Sequence, residues 1–347
     1  MPATTPSAFS HPVTLAHIRR AADRIRPFVH VTPLLTCSTI DALAGPNRRI
    51  FFKCENFQKI GAFKIRGATN AVMSLSDEIA KKGVVTHSSG NHAQAIALAA
   101  RRRNIPAYIV MPKNSSPVKI RAVEGYGGII TLCEPNTASR HSTAESIAGK
   151  TGATLIPPYD HPDIIAGQGT LFLEILQQFT QLHTSQPNSL SPADAPHLDA
   201  IVAPVGGGGL MSGVTIAAKS ALPNIKVFAA EPQGADDAAR SKAANTFTPQ
   251  ENPTTIADGL LTSLGELTWP VVRDLVDRVF TVSESQIISA MRLVFERMKI
   301  VIEPSSAVTL AAVLSDEFKS TQLPREHSLA SPSSPSSSSS SSSSSFS

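Results

Sequence analysis

Short β-branched runs alternate with Ala- and Leu-rich stretches of helical length along most of this chain, and that alternation confines it to parallel sheets covered by helices. Val84-Val85-Thr86 precedes a helical stretch from His92 to Arg103, Ala107-Tyr108-Ile109-Val110 precedes Lys119 to Glu124, and Ile129 to Leu132 precedes Ser139 to Gly149. The pattern returns with Ala200 to Val205 and Lys226 to Ala230, separated by the helical stretch Met211 to Ser220. Strands joined through helices are crossover connections, so the expected fold class is α/β with open parallel sheets.

At 347 residues, 41% hydrophobic and 17% charged, the chain has the composition of a globular protein, which excludes disorder throughout. Its 31 Lys and Arg are scattered among 27 Asp and Glu. The tight cluster Arg101-Arg102-Arg103 closes a helical stretch, where cations offset the helix dipole. No zinc-finger or RNA-binding spacing accompanies it, so nucleic acid is not an expected partner. No stretch reaches the ~18 apolar residues of a membrane helix, and the first fifteen residues hold no signal-peptide core. A cytoplasmic protein with no membrane partner is expected. Cys37, Cys54 and Cys133 lie far apart without a C-x-x-C, which points to free thiols. Thr184 to Pro196 reads as a surface loop. From Ser331 to Ser347 every residue is serine except Pro332, Pro335 and Phe346, and 324–347 is expected to be a disordered tail.

Three clusters could carry chemistry. Ile201 to Val205 runs into Gly206, Gly207, Gly208 and Gly209 and then Leu210-Met211-Ser212-Gly213, a strand, a turn and a helix start. With no Cβ atoms in the way, its backbone N–H groups can converge on an anion. Neither G-x-G-x-x-G nor a P-loop fits, so a cofactor monophosphate is the expected ligand. In the second cluster, Asn56 to Gly67, Lys64 stands between Phe63 and Ile65, and apolar surroundings free a lysine amine for Schiff-base chemistry. The third, Thr86-His87-Ser88-Ser89-Gly90-Asn91-His92, lies between a strand and a helix and offers hydroxyls and an amide to a carboxylate.

Together these segments resemble the serine racemase and threonine dehydratase family of fold type II pyridoxal-phosphate enzymes. The resemblance runs from about Val31 to Phe318. It also includes Ala166-Gly-Gln-Gly-Thr170, Glu231-Pro-Gln-Gly-Ala-Asp-Asp237, Thr255-Ile-Ala-Asp-Gly259 and Glu296-Arg-Met-Lys299 before Glu303-Pro304. The first and third clusters, with Lys64, are shared across the family; the Glu231 and Glu296 stretches lean toward its racemase branch. The resemblance implies two α/β domains of the tryptophan synthase β-subunit type with the cofactor between them: 1–82 plus 161–323, and 83–160. It implies that Lys64 holds pyridoxal 5'-phosphate and moves a proton on one face of the substrate, with Ser89 the acid/base on the other. Phe63, Asn91, the four glycines and Leu210 would bind cofactor, and Ser88, Ser89, His92, Arg140 and Thr262 the substrate. Glu231, Ala235 and Asp237 would hold Mg²⁺, Mn²⁺ or Ca²⁺, hard ions that prefer oxygen. A homodimer is implied, and ATP as an effector, for which Lys59 matches while Ile60 stands where a polar residue is expected.

The implied activity is interconversion of L- and D-serine with β-elimination to pyruvate and ammonia. A serine, threonine or 3-hydroxyaspartate ammonia-lyase is the enzymatic alternative. The sequence departs from the family in one respect: no Ser-Gly-Gly-Asn turn follows Val313 to Phe318, so the partner of the pyridine nitrogen and a closing strand are expected to be missing, leaving an open sheet edge or a gap in the core. A cofactor-poor, non-catalytic relative is the second alternative.

Overall fold

The computed structural model describes residue 11, residues 13–184 and residues 197–323. Of the loop expected at Thr184 to Pro196, Thr184 instead ends a helix, and residues 185–196, like the serine-rich tail at 324–347, lie outside the described residues. The chain begins with α1 (Leu15–Ile25), an antiparallel pair β1 (Leu34–Thr36) and β2 (Phe51–Lys53) around α2 (Ser38–Ala44), then α3 (Lys64–Ser74) and α4 (Asp77–Ala80).

A first parallel unit follows: β3 (Val84–His87), α5 (Asn91–Arg103), β4 (Ala107–Pro112), α6 (Pro117–Gly125), β5 (Ile129–Cys133), α7 (Thr137–Thr151) and β6 (Thr154–Leu155). The strand order is β5-β4-β3-β6, all parallel, so the chain winds outward to β5 and then returns to the far side of β3. Ligands of open α/β sheets bind beyond the carboxyl ends of the strands where the winding reverses, and the Ser88 to Asn91 turn follows β3 at that place. Ala93, Ile96, Ala97 and Ala100 of α5 pack on one face of this sheet, and Ala144 of α7 on the other.

Helix α8 (Pro162–Thr184) then leads to β7 (Ala200–Pro204), α9 (Gly209–Ala221), β8 (Lys226–Pro232), α10 (Asp237–Ala244), α11 (Thr268–Leu275) and β9 (Arg278–Val282). The three strands form a parallel sheet in the order β7-β8-β9. Helices α12 (Glu284–Met298), α13 (Pro304–Leu314) and α14 (Asp316–Lys319) complete the described chain. One face of this sheet packs with α1, α8 and α9 through Ile18, Phe172 and Met211; the other packs with α13 through Val308 and Ala312. The strands read from the sequence are all present. Helix α9 begins at Gly209 rather than at Met211, which puts its N-terminus inside the glycine run.

Helix α8 runs between α3 and α9 and touches both through glycines. A Cβ on Gly167 would stand 2.5 Å from Gly67 Cα, and one on Gly169 would stand 2.7 Å from the Gly213 carbonyl oxygen. The Ala166-Gly-Gln-Gly-Thr170 motif is therefore a spacer: it fixes how far the start of α3, with Lys64, lies from the start of α9, with the glycine turn. β7 pairs with β8 on one side and with no strand on the other among the described residues, and β9 is the opposite edge of the sheet.

Candidate active site

Lys64 is the first residue of α3, and its amine donates a 2.8 Å hydrogen bond to the Pro158 carbonyl while lying 5.4 Å from the centre of the Phe63 ring. Burial lowers its pKa from the usual lysine range to about 8. The positive end of the α3 dipole acts in the same direction. A lysine tuned this way is a nucleophilic amine near neutral pH.

What aims Lys64 is a buried ion network two residues on. Arg66, fully shielded from water, donates to Glu55 (2.8 Å) and Glu174 (2.7 Å), and Lys53 donates to Glu174 (2.8 Å). Burial alone would lower the Arg66 pKa, but the two carboxylates hold it above its ordinary value. Two cations and two anions balance, which ties α3 to α8 and to the segment after β2.

Phe63, Lys64, Ser88, Ser89, Asn91, His92, Arg140, Gly206 to Gly209, Leu210 and Thr262 all line one cavity of about 1990 Å³. The glycines are buried, and Gly208 caps α9 in the left-handed region (φ 84°) with no side-chain acceptor for the helix N–H groups. A Cβ on Gly207 would collide with the Tyr159 ring, and one on Gly208 would come within 2.7 Å of Thr268. The turn thus keeps its N–H groups free and admits no side chain, which suits an anion held by backbone alone.

His92 is buried, its Nε2 lies 3.2 Å from the Ile156 carbonyl, and burial with Lys64 nearby lowers it to about 3, so it is neutral. The Asn91 amide donates to both carboxylate oxygens of Glu303 (2.9 and 3.1 Å), leaving the amide oxygen for a ligand. Sequence reasoning named no role for Glu303, Tyr159 or the Pro158 carbonyl. A backbone acceptor leaves no mark in a sequence; Pro158 was findable only from the Lys64 geometry.

Glu231, Ala235 and Asp237 lie together behind the glycine turn rather than on the cavity wall. The Glu231 carboxylate accepts from the N–H groups of Ala238 (3.3 Å) and Ala239 (2.6 Å), capping α10, and Asp237 accepts from Leu264 N–H (2.9 Å). Burial raises Glu231 to about 9, with the Asp237 charge adding, and burial raises Asp237 to about 6. No group of three or more His, Cys, Asp and Glu side chains with metal-holding geometry occurs among the described residues. Neither buried carboxylate has a salt bridge among the described residues, the nearby Arg240 being paired with Asp236 while its charge acts on both at longer range, and two such carboxylates match the chemistry of a hard divalent cation.

This chain belongs to the family of pyridoxal-phosphate dependent enzymes, whose sequence model matches residues 25–330. Among individual relatives, it is 49% identical to the serine racemase of Oryza sativa subsp. indica, over 90% of this chain and 86% of that one. It is 46% identical to the serine racemase of Homo sapiens, over 89% of this chain and 86% of that one. Among solved structures it is similar to maize serine racemase, at 48% identity and a TM-score of 0.83, covering 90% of this chain and 89% of the other. A threonine deaminase from T.th. matches at 40% identity and a TM-score of 0.81, covering 90% of this chain and 94% of the other. The cavity fits the family's cofactor on two counts of its own: a desolvated lysine, and a glycine-lined helix start free to take a phosphate.

Proposed function

We propose that this enzyme interconverts L- and D-serine and also eliminates water from serine, the released enamine taking up water again to give pyruvate and ammonia. The observation that carries the reading is the Lys64 amine, desolvated to a pKa of about 8 in the same cavity as the Ser89 hydroxyl and the glycine turn. Lys64, Phe63, Asn91, Leu210 and the N–H groups of Gly206 to Gly209 would hold the cofactor. When bound, pyridoxal phosphate supplies the electron sink that stabilises negative charge at the substrate α-carbon.

The neutral Lys64 amine takes the α-proton from one side, and the Ser89 hydroxyl returns one from the other. Inversion requires such a pair, since a single base would restore the original hand. Ser88, Arg140 and Thr262 hold the substrate carboxylate and so fix which hydrogen faces Lys64; His92, neutral with its Nε2–H on the Ile156 carbonyl, keeps only a lone pair on Nδ1 and lines the site without donating to that carboxylate. If the substrate hydroxyl leaves before a proton returns, the products are those of elimination.

Around this centre we assign two domains, 83–160 and the remainder to 323. A divalent cation on Glu231, the Ala235 carbonyl and Asp237 would brace the Leu264 segment against Gly208, because Asp237 already holds Leu264 N–H. Three free cysteines suit a reducing, cytoplasmic location, and the homodimer and the ATP effector belong to the same reading. The test is chiral analysis of product from the purified holoenzyme, with and without Mg²⁺. D-serine together with pyruvate is expected; pyruvate alone would make the protein an ammonia-lyase, the activity class of the similar threonine deaminase.

A further inference from the structure

The link from β6 to α8 supports both halves of the centre with three successive residues. The Pro158 carbonyl holds the Lys64 amine at 2.8 Å, and the Tyr159 ring lies where a Cβ on Gly207 would stand. The Asp160 carboxylate accepts from the N–H groups of Leu267 (3.0 Å) and Thr268 (3.2 Å) at the start of α11. Gly265, without a side chain, leaves the space that the Asp160 carboxyl fills. Leu267, the N-cap of α11, offers no side-chain acceptor, so the cap comes from an acid 107 residues away in the chain. Asp160 also lines the Lys64 cavity. A carboxylate on the wall of a cavity that takes an anion works against that anion, so its presence there calls for a task of its own.

Thr268 carries that contact on to the glycine turn. It is fully buried, and its hydroxyl accepts from the Gly265 N–H (2.7 Å) and donates to the Gly207 carbonyl (2.9 Å). The peptide between Gly207 and Gly208 is planar and trans, so a carbonyl fixed on Thr268 sends the Gly208 N–H the opposite way, off the α11 side of the turn. Two glycines flank this peptide, one of them at φ 84°, and a peptide between glycines turns over with little steric resistance. Turned over, it would aim its carbonyl oxygen where the N–H had been, and an anion there would meet partial negative charge. The hydrogen bond from Thr268 opposes that reversal.

We propose that Asp160 and Thr268 are positioning residues for the cofactor phosphate: Asp160 fixes the start of α11, and Thr268 there locks the Gly207–Gly208 peptide with its N–H turned to the phosphate. Both act through the turn. The charge of Asp160 is absorbed by the N–H groups it caps, which reconciles an acid with an anion in one cavity. The inference rests on the family's cofactor and not on which reaction of serine prevails. It also gives the three linked residues one purpose, since Pro158 steadies the amine while Tyr159 and Asp160 steady the turn, and the distance between the two grips is set by a single short segment.

The test is absorbance titration of the cofactor-free full chain with pyridoxal 5'-phosphate and with pyridoxal, which lacks the phosphate. Asp160→Ala and Thr268→Val are each expected to weaken binding of pyridoxal phosphate about tenfold, the effect of a lost helix cap or hydrogen bond, and to leave pyridoxal binding unchanged. Asp160→Asn and Thr268→Ser, which keep the acceptor and the hydroxyl, should bind both ligands as the unsubstituted protein does. The double variant D160A/T268V should lose little beyond T268V, because one contact acts through the other. Equal weakening of both ligands, as a merely structural role would give, or weakening of neither, overturns the proposal. Losses that multiply in the double variant overturn the relay from Asp160 through Thr268. Since the readout is binding rather than turnover, an enzyme that gives pyruvate alone would correct the proposed function and leave this inference standing.

Discussion

At the residue scale the site depends on a lysine that water does not reach freely. If burial sets its pKa at about 8, roughly 1% of the amine is unprotonated at pH 6 and about half at pH 8. Incorporation of pyridoxal phosphate into the apoprotein should therefore accelerate about tenfold per pH unit below 8 and level off above it, as stopped-flow absorbance would record; a rate independent of pH from 6 to 9 contradicts this tuning. Arg66 makes a second test. Arg66→Ala leaves Glu55 and Glu174 buried without their main cation, which should cost about 3–5 kcal/mol by urea unfolding. Glu55 and Arg66 stand in one recognisable stretch of sequence, but Glu174 is more than a hundred residues away on α8, so the network became visible only once the helices were packed.

At the element scale three helices and their glycines set the geometry of the centre. The β-branched runs made β3, β4, β5, β7 and β8 legible, because buried parallel strands are written as continuous apolar runs. β6 has two residues and β1 and β2 three each, too short to carry a pattern. The glycines of α8 were readable as a motif but not as a spacer, since their purpose lies in Gly67 and Gly213 on other helices. Gly167→Ala must push α3 away from α8. Overpacking of this kind should cost about 1–3 kcal/mol of stability, and displacing Lys64 should lower kcat by about 10²-fold, more than the loss of stability explains. Comparing the unfolding midpoint with kcat at a temperature where the variant is fully folded separates the two effects.

At the scale of the whole molecule the cavity lies between two sheets, and polar links cross it. Asn91 at the start of α5 reaches Glu303 before α13, and Lys119 on α6 pairs with Asp258 at 2.6 Å. Both pairs join the β3 to β6 unit to the β7 to β9 unit, so they resist separation of the cavity walls. The Lys119–Asp258 pair is half-exposed and worth at most about 1 kcal/mol. That is enough to shift the balance between a closed and an open cavity a few-fold without altering the chemistry inside. Lys119→Met should accordingly raise KM about two- to fivefold with little change in kcat. The difference from the unsubstituted enzyme should shrink in ~0.5 M salt, where exposed charges are screened. Steady-state kinetics at low and high salt would read both, and an unchanged KM at low salt would mean that the other contacts alone hold the two units together.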